Sequence, residues 1–104
     1  MITKPTHQTL EPVDVLTVLQ ALSDPVRLEI VRQLAALGDD NGCMCRDLEL
    51  PVTKSTGSHH LKTLRLAGIT AEREEGVYKF IRLRRGELNE RFPGLLDSVL
   101  NAPA

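Results

Sequence analysis

The segment VTKSTGSHHLKTLRLA, between Pro51 and Gly68, is bracketed by residues that interrupt and restart helices. Pro51 stops whatever helix precedes it, Thr53 is a good N-cap, and Gly68 ends the run, so the spacing predicts a helix through about Leu66. Immediately after Gly68 the period changes. ITAERE and VYKFIRL read as two strands around Glu75-Gly76, with Tyr78, Phe80 and Arg82 on one face and Val77, Lys79, Ile81 and Leu83 on the other. A capped helix followed at once by a hairpin is the strongest constraint on the fold of this chain.

The upstream residues supply helices that can carry it. Val15, Leu16, Leu19 and Leu22 follow a helical stripe ending near Ser23. In DPVRLEIVRQLAAL, Asp24 is a candidate N-cap and Pro25 sits at the first helical position, where its missing amide hydrogen costs nothing. Leu28, Val31, Leu34 and Ala35, widened by Ile30 and Leu37, form the expected core face of this second helix. Gly38 to Gly42 is a loop, and Cys43 to Leu50 is expected to be a short helix. That short helix, the break at Pro51 and the next helix make a helix-turn-helix pattern, with the hairpin as its wing. RRGELNERF and GLLDSVL predict one broken helix or two short ones around Pro93-Gly94. Residues 1–12 read as a flexible arm and 13–100 as one small domain.

Charge is unevenly distributed. The chain of 104 residues has a formal net charge of −1, yet residues 45–85 carry nine Lys/Arg against five Asp/Glu, between acidic flanks. Attraction to phosphate depends on which groups face it, so a basic middle can be an electrostatic footprint; it can equally be a solvated face. No run of 18 apolar residues exists and MITKPTHQTLEP lacks the apolar stretch of a signal peptide, which makes a cytoplasmic protein without membrane contact the expectation. No nucleophile and base pair or cofactor loop is visible, so an enzyme is not expected.

On the helix after Thr53, residues three and four apart share a face. Gly57, His60, Leu61, Leu64 and Ala67 fall inward, whereas Lys54, Ser55, Ser58, His59, Lys62 and Arg65 fall outward. Short polar side chains such as Ser55, Ser58 and His59 can approach base edges in a major groove while Lys54, Lys62 and Arg65 reach phosphates. Arg73 on the hairpin is a further candidate contact, beside acidic Glu74 and Glu75. The two adjacent histidines point about 100° apart on a helix, which suits neither a shared metal ion nor a catalytic pair. His60 reads as a partly buried histidine with a structural hydrogen bond. The competing use of this face, docking of a protein partner, calls for large apolar anchors, and only Leu66 qualifies.

ALSDPVRLEIVRQL at 21–34, TKSTGSHHLKTLRLAGI at 53–69 and the hairpin VYKFIRL together resemble the ArsR/SmtB family of bacterial winged-helix repressors. The resemblance implies an α+β, mainly α, winged helix-turn-helix fold with five or six helices and a two-stranded wing. It also implies a homodimer formed by the first and last helices, which binds a two-fold DNA operator and is released by an inducer. Position by position it singles out Lys54, Ser55, Thr56, Ser58, His59 and Lys62 as the DNA-contacting set; Pro25 and Gly68 are structural residues by their places at a helix start and a helix end. Gly57 departs from the family, which usually has a branched aliphatic residue there to anchor the helix.

Cys43-Met44-Cys45 resembles the family's Cys-x-Cys sensing site for arsenite, antimonite, cadmium or lead, ions that soft thiolates favour. The ligand set is incomplete: the third cysteine found in some members is Leu48 here, and the N-terminal arm offers only His7. Thiols near a helix N-terminus can also acquire lowered pKa values and sense oxidants or electrophiles. The third reading is a pair of ordinary half-buried residues without a signalling role. The interface metal site of the family is absent, because no histidine follows Arg84.

Overall fold

The computed structural model describes residues 13–37, 42–44 and 47–102. Helix α1 spans Val15–Leu22 and α2 spans Pro25–Leu37; each begins at an aspartate. The Asp14 carboxylate accepts from the Thr17 amide at 3.2 Å, and Asp24 Oδ2 accepts from the amides of Val26 at 2.9 Å and Arg27 at 3.0 Å. These bonds satisfy donors that a helix start otherwise leaves open, and Pro25 needs none. The amides of Arg27 and Val26 and the charge of Arg27 hold the Asp24 carboxyl below its ordinary pKa, against the opposing effect of desolvation.

A short strand β1, Cys43–Met44, precedes α3, Lys54–Leu66. Strands β2, Thr70–Glu75, and β3, Tyr78–Leu83, form an antiparallel hairpin with Thr70 opposite Leu83 and Glu75 opposite Tyr78. Gly76, at φ 62°, takes the first central position of its two-residue turn, where glycine meets a positive φ without strain. Two short helices, α4 (Arg85–Arg91) and α5 (Leu95–Asn101), close the fold, separated by a break in which Gly94 has φ 81°. Among the described residues, five helices and a small antiparallel sheet make an α+β winged helix-turn-helix fold.

The core is aliphatic. Ile30, Val31, Leu64, Ile69 and Ile81 have no exposed surface, and Val18, Ala21, Leu34, Leu88 and Leu96 close around them. On α2 the buried stripe is Ile30, Val31 and Leu34; the expected Leu28 is only half-buried and Leu37 is 51% exposed. The stripe is turned toward Arg27, three residues before Ile30. Arg27 is accommodated on that side because its guanidinium donates to the Ala21 carbonyl at 2.6 Å.

The largest departure from expectation lies between α2 and α3. Among the described residues of the segment 43–50 the expected α-helix is not formed: Cys43 and Met44 pair with Ile81 and Phe80 as the third strand of a sheet ordered β1-β3-β2, and residues 48–50 are irregular. The two-stranded wing is therefore joined on its other side by β1. Three causes act together. Gly42, at φ 80°, brings the chain so close to β3 that a Cβ there would run into the Ile81 carbonyl. The Gln33 side chain donates to the Glu49 carbonyl at 2.7 Å and accepts from the Glu49 amide at 3.1 Å, satisfying that peptide from the side. Pro51 disfavours helical geometry at Leu50.

At the other end, Arg82 Nη2 donates to Glu87 Oε2 at 3.0 Å, and buried Arg84 lies 3.7 Å from the same carboxylate. Burial works against the charge on Glu87, but the Arg82 hydrogen bond and the two guanidiniums outweigh it and hold its pKa below the ordinary value. The end of β3 is thereby tied to the first turn of α4.

Candidate nucleic-acid interface

Helix α3 is defined at both ends by its own residues. Thr53 Oγ1 accepts from the Thr56 amide at 3.3 Å and donates to Thr56 Oγ1 at 3.0 Å, so the Thr56 hydroxyl is engaged in the cap. At the other end Gly68, at φ 83°, lets its amide reach the Arg65 carbonyl and the Ile69 amide reach the Leu64 carbonyl, both at 3.0 Å. Such a left-handed turn closes a helix that no β-branched residue could close as cheaply.

The inner side holds the helix in place. Gly57, Leu64 and Ala67 are buried, and His60 and Leu61 are half-buried. A Cβ at Gly57 would lie 3.4 Å from Leu50 Cδ1 and 3.9 Å from Val52 Cγ2, so these side chains lean over the position where an aliphatic residue is missing. The His60 side chain is 13% exposed; its Nδ1 lies 3.2 Å from Arg27 Nη1 and 3.9 Å from Asp24 Oδ2. Arginine only donates, so Nδ1 accepts from Arg27, and the aspartate lies beyond hydrogen-bond distance. Arg27 and Gln33 were not among the residues the sequence pattern singled out. The visible signal for Arg27 is its place three residues before Ile30 on an otherwise apolar stripe.

On the outer side Lys54, Ser55, Thr56, Ser58, His59, Lys62, Arg65 and Leu66 are all exposed. Lys54 and Lys62 make no ion pair with any described residue, whereas Arg65 Nε lies 3.7 Å from Glu72 Oε2. The helix therefore presents two uncompensated ammonium groups on either side of short hydroxyl and imidazole groups. Arg73 is differently placed. Its Nε donates to Glu75 Oε2 at 2.9 Å and its guanidinium lies 4.6 Å from the Phe80 ring centroid, so much of its charge is used within the wing. The tip of the hairpin is Gly76-Val77, with Val77 92% exposed, and Glu74 and Glu75 end β2 just before it.

Cys43 is half-buried in β1 rather than at a helix start. Burial, reinforced by the charge of Asp47, pushes its thiol pKa up, the reverse of what a helix N-terminus would do. Cys45 and His7 lie outside the described residues, as does the arm, residues 1–12. Among the described residues no group of three His, Cys, Asp or Glu side chains could hold a metal ion, and no helix is long and apolar enough to cross a membrane.

No family model matches the chain. It is 37% identical over 82 residues to the uncharacterised HTH-type transcriptional regulator YceK of Bacillus subtilis, covering 79% of this chain and 82% of that protein. It is 41% identical over 64 residues to the uncharacterised HTH-type transcriptional regulator MJ1325 of Methanocaldococcus jannaschii, covering 61% of this chain and 70% of the other. A homologue of the cadmium resistance transcriptional regulatory protein CadC of Staphylococcus aureus is 37% identical over 72 residues, 69% of this chain and 59% of that protein. These relatives are regulators and not enzymes, and so is this protein. With its capped, basic-faced helix and adjoining hairpin, the chain belongs to the family of HTH-type transcriptional regulators.

Proposed function

We propose that the protein is a cytoplasmic, homodimeric repressor of the ArsR/SmtB kind that binds a two-fold DNA operator through α3 and leaves it when an inducer binds. The observation that carries this reading is the outer face of α3, where Lys54 and Lys62, without ion pairs among the described residues, flank exposed Ser55, Ser58 and His59. Lysines supply affinity through phosphates, and the short groups between them can read base edges. Arg65 and Arg73 play a smaller part because acidic neighbours already engage them. A dimer is supported by apolar surface on the first and last helices: Leu16 is 64% exposed, Val15 and Leu19 about 40%, and Leu95, Val99 and Leu100 on α5 are half-buried. Pairing through these helices would set the two copies of α3 about 34 Å apart, one turn of DNA.

The inducer is to be sought first at Cys43 and Cys45, with His7 as a third ligand, among arsenite, antimonite and other soft metal ions. The cadmium resistance named in one relative supports that choice. The raised pKa of Cys43 works against thiol oxidation and metal ligation alike, since the thiolate is the reactive form in both, so it does not separate the two.

The test is fluorescence anisotropy of the reduced protein with DNA from upstream of its own gene. Lys62→Ala should weaken binding to every sequence and lower the slope of log K against log salt by roughly 0.9 for each phosphate that is no longer neutralised. Ser58→Ala and His59→Ala should mainly relax discrimination between operator variants, and uniform losses for all three substitutions would overturn this assignment. Release by arsenite that Cys43→Ser or Cys45→Ser abolishes would identify the sensor; release by peroxide alone would make it a redox switch.

A further inference from the structure

A cavity of about 600 Å³ opens between the first turns of α3, the segment from Leu48 to Val52 and the tip of the wing. Its volume falls within the roughly 300–1,000 Å³ typical of sites for small organic ligands. The walls are apolar, formed by Met44, Leu48, Leu50, Val52 and Leu61. Gly57 forms part of the lining, so the missing side chain leaves room beside the backbone of the recognition helix.

The charged groups are of one sign. Lys54 on α3 and Lys79 on β3 line the cavity, and among the described residues no aspartate or glutamate does, although the chain as a whole has more acidic than basic residues. Lys54 has no ion-pair partner among the described residues, and Lys79 Nζ keeps only a long contact, 3.8 Å, to Glu72 Oε1. The cavity thus combines an apolar wall, fit for a hydrocarbon or aromatic body, with two ammonium groups fit for one anionic group. A dicationic ligand or a neutral oil would leave one half of this chemistry unused.

We infer that the cavity binds a small amphipathic anion, an apolar body bearing one carboxylate, and that its occupancy competes with DNA. The competition arises because Lys54 and Ser58 line the cavity and also belong to the outer face of α3. A carboxylate at Lys54 removes a charge that a phosphate would otherwise engage. This second half rests on the DNA-binding reading proposed above; the first half does not.

The site is tested on the full chain with 8-anilinonaphthalene-1-sulfonate as fluorescent probe and octanoate, octanol and octylammonium as competitors. Octanoate should displace the probe at a concentration at least tenfold below either of the others, and Lys79→Gln should weaken octanoate severalfold. Gly57→Val and Val52→Phe each place carbon in the cavity and should abolish probe binding; thermal melting identifies any variant that fails to fold. Equal displacement by octylammonium, or full probe binding in both folded variants, would overturn the site. Anisotropy with upstream DNA forms the second arm. Saturating octanoate should lower DNA affinity at least tenfold in the wild type and leave Gly57→Val unaffected, and an unchanged affinity in the wild type would overturn the competition. Absence of any DNA binding would refute the DNA-binding reading and the competition with it, while the probe arm still decides the site.

Discussion

Helix α3 and the chain leading into it meet their backbone requirements in opposite ways. In α3 the bonds are internal: Thr53 caps one end, the turn at Gly68 closes the other, and the helix runs 13 residues between them. Residues 42–44 and 47–52 instead draw partners from elsewhere, β1 from Ile81 and Phe80 on β3 and Glu49 from Gln33 on α2. An element that satisfies itself keeps its shape when neighbours shift, whereas one that depends on neighbours reports their positions. The candidate interface is thus built on the first kind, and the segment leading into it on the second.

This contrast can be broken at specific residues. The largest effect is expected for Gly42→Ala, which combines left-handed strain with a collision against the Ile81 carbonyl and should cost on the order of 2–4 kcal/mol in chemical denaturation. A cost below about 1 kcal/mol would mean that β1 moves away freely. Gln33→Ala removes both bonds to Glu49 and should cost about 1–2 kcal/mol. Hydrogen exchange should then accelerate at the Glu49 amide while the amides of Leu61 to Leu64 keep their protection; equal acceleration at both would erase the distinction between the two regions.

Thr53→Ala strikes the self-contained element and should cost about 1 kcal/mol, recovered by Thr53→Ser or Thr53→Asp. Gly57→Ala has the opposite sign. Its Cβ would make ordinary contact with Leu50, so the gain in helix propensity should raise stability by about 0.5–1 kcal/mol in thermal or denaturant melts. A net destabilisation would show that Leu50 cannot yield. The smallest effect is a dependence on acid. Asp24 and Glu87 both have folded pKa values below their ordinary ones, so their contribution is complete at neutral pH and is lost as pH falls through those lowered values. In melts from about pH 7 to 2, the advantage of the wild type over Asp24→Asn should hold down to the ordinary carboxylate range and shrink only below it.

What could be read directly from the residues follows the same division. The bounds of α2 and α3, the two short terminal helices and the hairpin were legible because caps, glycine stops and apolar periods act over a few residues. The inward and outward sides of α3 were legible for that reason too, since about 100° per residue fixes them once the helix is known. The helix expected over Cys43 to Leu50 fails because Cys43 pairs with Ile81, 38 positions later, and Glu49 is bonded by Gln33 on another element. No local pattern announces a strand two residues long. The environment of Cys43 was misread with it, because a thiol at a helix start and a half-buried thiol in a strand shift in opposite directions. Lys54 and Lys62 were identifiable as cations, but not that Arg65 and Arg73 would be drawn to Glu72 and Glu75.

The guanidinium of Arg27 holds the Ala21 carbonyl with Nε and His60 with Nη1, so one side chain spans from the end of α1 to the middle of α3. If two copies pair through α1, as proposed, the position of each α3 relative to the pairing surface is then gauged by this arginine, whose own guanidinium is engaged within the chain. Lengthening or shortening that strut would shift α3 relative to α1 without altering any group on the outer face of α3.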